Sequence, residues 1–251
     1  MKDFQLTLRD GRKIVISFNL RAINERRRVQ KFIRTLAGKS TTEIFSDIYA
    51  KQIWGGSGPG SRNSFVVEPY INSISQFAAA LPERLDAVDL GCGDFAIGSR
   101  LRPLFNRYIA GDIVPDVISR NRARFGNLDV DFRVVDITAD DLPPGDIAFV
   151  RQVLQHLSND EIARAVNRLR ATYPRLVLTE HLPLAADFVP NIDIPTGPNN
   201  RLGVNSGVDI TKPPFEIPVL SATVLCEVVI EENIDGPGSP ASRIRTTLYE
   251  F

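Results

Sequence analysis

The feature that most limits the fold of this chain is a rhythm running from Val66 to Thr179, in which short apolar runs alternate with stretches of helical period. Val66–Leu81 reads as a helix, Leu85–Leu90 as a strand, Phe95–Phe105 as a helix and Arg107–Asp112 as a strand. Pro115 then suits the first turn of another helix, where its missing N–H would be unpaired anyway. Val130–Val135, Ile147–Val150 and Leu176–Thr179 read as further strands. Between the last two, Ser158-Asn159-Asp160-Glu161 is a capping box, followed by Ile162, Ala165, Val166 and Leu169 on one helical face. Alternation of this kind implies a parallel sheet with helices on both faces. After Leu182 it stops. Residues 183–218 hold seven of the 17 prolines and cannot be a helix. Strand chemistry returns at Thr223–Ile230 and Arg243–Leu248 around a Gly236-Pro237-Gly238 turn. So short a connection makes that pair antiparallel. The expected fold is a doubly wound α/β sheet of seven strands, mostly parallel, closed by an antiparallel pair.

The N-terminal part has a different character. Phe4, Leu6 and Leu8 alternate with polar residues, Asp10-Gly11 supplies a turn, and Ile14, Ile16 and Phe18 resume the alternation, which predicts a β-hairpin. A helix follows with Val29, Phe32, Ile33 and Leu36 on one face and Arg26, Arg27, Arg28, Lys31 and Arg34 on the other. Ser40-Thr41-Thr42-Glu43 caps a second helix reaching about Ile53, and the glycine-rich stretch Gly55–Ser61 comes next. Residues 1–62 carry 13 Lys/Arg against 5 Asp/Glu, so this segment is +8 and the rest −8. We read 1–62 as a basic lobe able to act as a lid. Residues 63–251 are then the main domain, with an acceptor-binding insertion at about 182–218.

The zero net charge argues against a general nucleic-acid or membrane binder. Cys92 and Cys226 give neither a disulfide framework nor a CxxC zinc spacing. No run approaches the roughly 18 apolar residues of a membrane span, and Met1-Lys2-Asp3-Phe4 alternates where a signal peptide would be apolar. A cytoplasmic location is expected.

The most informative run is Ala87-Val88-Asp89-Leu90-Gly91-Cys92-Gly93-Asp94-Phe95, a strand ending in a glycine turn before a helix. At the carboxyl end of a sheet strand, such a turn is the usual cofactor crevice. Gly91, Gly93 and Ala96 satisfy the dinucleotide pattern G-x-G-x-x-A, with Asp112 near the offset of a ribose-binding acid. A pyrophosphate, however, needs exposed helix-terminal amides and little negative charge. Asp89 and Asp94 flank this loop, a third acid, Asp136, ends the third strand, and the closing antiparallel pair is foreign to a plain dinucleotide fold. A sulfonium, a ribose diol and an adenine fit these features better, which points to S-adenosyl-L-methionine (SAM).

On the ordered motifs VDLGCGD, GDI and VVDIT, the chain from about Val66 to Phe251 resembles the class I SAM-dependent methyltransferases. The resemblance implies a Rossmann-like methyltransferase fold. It implies that Asp89, Gly91, Cys92 and Gly93 cradle the methionine moiety and that Asp112 takes the ribose hydroxyls with Ile113 against the adenine edge. It also implies that Asp136 and Ile137 bind adenine and that Arg151 and Gln152 border the methyl group. The family often has a third glycine where this chain has Phe95. The stretches Asp47–Gly58, Asn191–Gly197 and Thr211–Glu216 resemble a bacterial subgroup of small-molecule or sugar methyltransferases linked to surface-glycan synthesis.

That likeness favours a hydroxyl acceptor on a carbohydrate, a nucleotide-linked sugar or a related polar small molecule. Transfer to a hydroxyl gains from a general base. His181 is the candidate, with Glu180 as its orienting carboxylate or a substrate ligand. Asp193, Asp209 and His156 are candidate acceptor-binding residues, and Trp54 is placed over the sulfonium or against the acceptor. Glu180, His181, Asp193 and Asp209 would also suit a hard cation, but no compact metal spacing is present and no metal is expected. Competing readings are a nucleic-acid methyltransferase using the basic lobe, a non-catalytic SAM-binding scaffold, and an NAD-linked oxidoreductase.

Overall fold

The computed structural model describes residues 2–7, 13–18, 20–56, 61, 63–231 and 240–251, with side chains from Arg27 onward. The turns expected at Asp10-Gly11 and Gly236-Pro237-Gly238, residues 57–60 of the glycine-rich stretch and the Arg26 side chain lie outside the described residues.

The chain opens with β1 (Lys2–Thr7) paired antiparallel to β2 (Lys13–Phe18), as the alternating pattern predicts. Next come α1 (Leu20–Ile33) and α2 (Thr41–Ala50). The Ser40 side chain accepts the Glu43 amide, and Glu43 reaches back to the Ser40 amide, so the expected capping box sets where α2 begins. Beyond α3 (Ser64–Ala79) lie β3 (Ala87–Leu90), the single-turn α4 (Gly98–Leu101), β4 (Tyr108–Asp112), α5 (Pro115–Phe125), β5 (Asp131–Val134) and β6 (Ile147–Arg151). They are followed by α6 (Asn159–Thr172), β7 (Arg175–Pro183), β8 (Ser221–Ile230) and β9 (Ser242–Glu250).

Seven strands form one sheet in the order β5-β4-β3-β6-β7-β9-β8. The five from β3 to β7 are parallel, and β9 is antiparallel to both of its neighbours. The expected doubly wound fold is therefore present. Pleat alternation sorts the central strands onto two cores. Val88, Leu90, Ala148 and Val150 face Ile162, Ala165, Val166 and Leu169 of α6, together with Ile44, Phe45 and Ile48 of α2. Ala87, Tyr108, Ala110 and Phe149 face Val67, Tyr70, Ile71 and Ile74 of α3. The helix α2 of the N-terminal lobe thus shares a core with the main sheet. Among the described residues, no helix is long and apolar enough to cross a membrane.

Two elements differ from the sequence expectation. The helix expected over Phe95–Phe105 shrinks to α4 and a 3-10 turn at Arg102–Leu104. Phe95 has φ +56°, a left-handed conformation that no helix contains, and Pro103 cannot donate to a longer one. Its ring is fully buried against Tyr108, Phe125 and Phe132 at centroid distances of 5.8, 5.3 and 4.9 Å. Gly98 makes room for that ring, since a Cβ there would lie 2.3 Å from it. Aromatic burial therefore holds a side chain in the backbone conformation a third glycine would adopt freely. The strand expected over Leu176–Thr179 instead runs to Pro183, because β9 pairs with it along its whole length after β6 has ended.

A positive φ costs a residue with a Cβ roughly 1–2 kcal/mol, and loss of a buried phenyl ring costs about 3–5 kcal/mol. Both Phe95→Ala and Phe95→Gly should be strongly destabilised in urea unfolding. The glycine variant should be the more stable of the two by about 1 kcal/mol, the reverse of their order in a helix.

Candidate functional site

The strand order reverses between β3 and β6, whose connections leave toward opposite sides of the sheet. Such a switch point leaves a crevice beyond the carboxyl ends of the strands. A cavity of about 470 Å³ lies there. One half is built from the ends of β3, β4, β5 and β6. Asp89, Gly91, Cys92, Gly93, Asp112, Ile113, Asp136, Ile137, Arg151 and Gln152 all line the cavity.

The glycine turn is held to the neighbouring strand. The amides of Gly91 and Cys92 both donate to the Gly111 carbonyl, at 2.8 and 3.0 Å. Gly91 has φ +77°, and a Cβ on it would lie 2.3 Å from Val153 Cγ2, so bare backbone is required. The carboxylate of Asp112 accepts the amides of Gly93 at 3.0 Å and Val114 at 2.9 Å. Burial nevertheless raises its pKa to about 6, against those two amides. Asp89 lies on the α3 face of β3, where burial raises it to about 7 despite a 3.3 Å hydrogen bond from the Tyr108 hydroxyl. The nearby Asp112 adds repulsion, and Arg151 works in the opposite direction. The Arg151 guanidinium covers the Tyr70 ring at 4.9 Å. It also donates to Gln152 Oε1 at 3.1 Å. Asp136 Oδ1 accepts the Thr138 amide and hydroxyl at 2.8 and 2.7 Å, which fixes the turn after β5. Gln152 follows β6 with φ +56°, so the two strands flanking the switch point both end in a left-handed residue.

The other half of the cavity comes from distant parts of the chain. Phe45 and Tyr49 of α2, together with Trp54, meet His156, which follows β6, and Pro198, Asn200 and Leu202 of the proline-rich segment. The Trp54 ring lies 4.6 Å from that of His156, and its Nε1 donates to the Pro198 carbonyl at 3.0 Å. His156 Nδ1 lies 3.0 Å from the Asn199 carbonyl, which can only accept, so the proton sits on Nδ1. Nε2 is then left to accept from Gln155 Nε2 at 3.1 Å. Burial lowers the His156 pKa to about 4, which keeps the ring neutral.

His181 also lines the cavity. It lies inside β7 rather than in a loop after it, buried, with Nε2 2.8 Å from Ser242 Oγ of β9. Three expected site residues face elsewhere. Alternation along β7 puts Glu180 on the face of Leu176 and Leu178, opposite His181, so it cannot orient that ring. Asp193 accepts the Asn159 amide at 2.7 Å and serves the start of α6. Asp209 accepts the Thr211 amide and hydroxyl at 2.9 and 2.7 Å, closing a local turn. Neither aspartate lines the cavity. Among the described residues, no three His, Cys, Asp or Glu side chains converge as a metal site.

The sequence reading missed Arg201. It is 1% exposed and donates to the carbonyls of Leu154, Gln155, Leu157 and Ile192 and to Asn159 Oδ1. It thereby staples the proline-rich segment to the loop that carries His156. Nothing in the local pattern of Asn200-Arg201-Leu202 marks it, because its partners are backbone carbonyls about 10–50 positions away. Glu180 belongs to this staple. Its buried oxygens meet no donor in good hydrogen-bond geometry. Arg201 and the amides of Leu154 and Gln155 still draw its pKa down against burial, which raises it to about 8.

A carboxyl whose pKa is raised by folding contributes stability that is complete below its unfolded value and is lost as pH rises through its folded one. Between pH 7.5 and 8.5, His156 is essentially neutral in both states, so Glu180 dominates. The melting temperature of the ligand-free chain should fall across that window, and Glu180→Gln should flatten the fall. An equal slope in the variant would contradict the assignment.

Residues 88–172 match the family model described as a methyltransferase domain. No curated protein matches the chain. Similar solved structures include the N-methyltransferase NodS from Bradyrhizobium japonicum WM9 in complex with S-adenosyl-L-homocysteine (SAH). It is 15% identical, with 88% of this chain and 97% of that chain covered, at a TM-score of 0.55. Magnesium protoporphyrin IX methyltransferase (ChlM) from Synechocystis PCC 6803 with bound SAM is 16% identical, covers 84% and 98%, and has a TM-score of 0.51. The bifunctional kinase-methyltransferase WbdD is 20% identical over 76% of this chain and 40% of that chain, with a TM-score of 0.50. These likenesses concern the fold. Residues 88–172 thus match a methyltransferase domain, with the crevice at its strand ends, in a fold shared with structures solved with SAM or SAH.

Proposed function

We propose that the enzyme transfers the SAM methyl group to a hydroxyl of a carbohydrate or a related small polar molecule. The observation that carries this reading is His181, a cavity-lining imidazole two residues beyond the end of the β6 pairing and tethered through Ser242. In this reading Asp89, Gly91, Cys92 and Gly93 hold the methionine moiety, and Asp112 accepts from the ribose diol with Ile113 beside the adenine. Asp136 and Ile137 receive the adenine, and Arg151 and Gln152 border the methyl group. The N-terminal lobe and residues 182–218 enclose the acceptor.

The chemistry is an in-line displacement. The acceptor oxygen attacks the methyl carbon, the carbon–sulfur bond breaks as the oxygen–carbon bond forms, and the sulfonium charge is cancelled as SAH departs. Holding the two reactants in near-attack geometry supplies most of the acceleration. His181 takes the hydroxyl proton, a contribution of about 10²–10⁴-fold. Ser242 in place of Glu180 sets the orientation of its ring.

SAH should raise the melting temperature, and its affinity should weaken as pH falls from 7.5 to 5.5, because the raised carboxyls of Asp89 and Asp112 take up protons there. His181→Ala should lose about 10²-fold or more in kcat while SAH affinity holds. Calorimetric titration with SAH and single-turnover methyl transfer check both. Near-normal turnover in the variant would remove His181 from the role of base.

A further inference from the structure

The acceptor half of the cavity differs chemically from the cofactor half. Phe45, Tyr49 and His156 surround Trp54, with ring centroids 6.0, 6.1 and 4.6 Å from the indole. The imidazole in this set is held neutral by burial, which outweighs the opposite pull of its hydrogen bond to the Asn199 carbonyl. Gln155 donates to the His156 ring, lines the cavity and is only 4% exposed, yet its Oε1 has no hydrogen-bond partner among the described residues. A buried amide oxygen left this way is costly unless something donates to it, and an acceptor hydroxyl is a donor of the right kind. The charges of the described lining point the same way. They are the carboxyl groups of Asp89, Asp94, Asp112 and Asp136 against the guanidinium of Arg151. A diphosphate entering that field would meet repulsion and lose its hydration, and among the described lining residues no Lys or Arg beside the rings replaces it.

We infer that the acceptor is an uncharged ring compound that lays an apolar face on Trp54 and donates a hydroxyl hydrogen bond to Gln155 Oε1. The inference rests on the hydroxyl-transfer reading above and narrows it, setting nucleotide-linked sugars aside in favour of neutral glycosides. A sugar or cyclitol has such a face, formed by its axial C–H groups, and equatorial hydroxyls that can meet polar lining residues such as Gln155 and Asn200.

Trp54 is the single tryptophan of the chain, so its emission reports on this half of the cavity alone. The experiment titrates the SAH complex with phenyl glycosides of glucose, galactose, mannose and rhamnose, and with the nucleoside diphosphate derivative of each sugar. At least one phenyl glycoside should shift the emission saturably, with a Kd at least tenfold below that of its nucleotide-linked counterpart. Gln155→Leu should weaken that glycoside about tenfold, the loss of one hydrogen bond, and leave the SAH Kd unchanged. Tighter binding of the nucleotide sugars, or no emission change with any glycoside, overturns the inference. SAH binding is measured in the same titrations. Its retention in those cases leaves the cofactor reading standing, whereas its loss would sink that reading instead.

Discussion

Everything in this site depends on a topological constraint. Parallel strands need long crossovers, and two adjacent strands whose crossovers leave in opposite directions cannot have their ends covered by either connection. In this chain those strands are β3 and β6. The gap beyond them receives the last side chains of each strand, and these cannot all be apolar if a polar cofactor is to bind. Asp89 and Asp112 are the consequence. Burial keeps both well above the ordinary carboxylate range, partly offset by the amides of Gly93 and Val114 for Asp112 and the Tyr108 hydroxyl for Asp89. Buried acids of this kind are poised to ionise when a cation and hydroxyl donors arrive.

Backbone strain collects at the same place. Gly91, Phe95 and Gln152 all have positive φ, and all lie in the turns that leave β3 and β6. At Gly91 the conformation is free of a Cβ penalty. At Phe95 it is held by a ring packed among Tyr108, Phe125 and Phe132. At Gln152 it is held by the amide hydrogen bond to Thr179 at 2.7 Å. Each of the three positions turns the chain sharply away from the sheet, which keeps the crevice open between the two strand ends.

The half of the cavity away from the strand ends is assembled differently. No single element builds it. Trp54 comes from the segment after α2, His156 from the turn after β6, and Pro198 and Asn200 from the proline-rich stretch. Arg201 binds these pieces by supplying five donors to carbonyls and one side chain that would otherwise be buried without partners. Glu180 lies beneath it on the face of β7 away from His181. This half of the cavity therefore rests on a staple between distant segments, while the half at the strand ends is maintained by the sheet itself.

The periodicity, the two capping boxes and the glycine turn after Asp89 were enough to determine the strand–helix order, the sheet class and the place of the crevice at the strand ends. All of these are local signals that one stretch of chain carries whole. The sequence alone could not place Glu180 and His181 on opposite faces, since that follows from β9 extending β7 past the end of β6. Nor could it show that Asp193 and Asp209 serve local turns, or that Arg201 joins the proline-rich stretch to the turn after β6. Those outcomes depend on hydrogen bonds between segments far apart in the chain, whose partners are mostly backbone groups that every residue possesses. Only folding decides which of them meet.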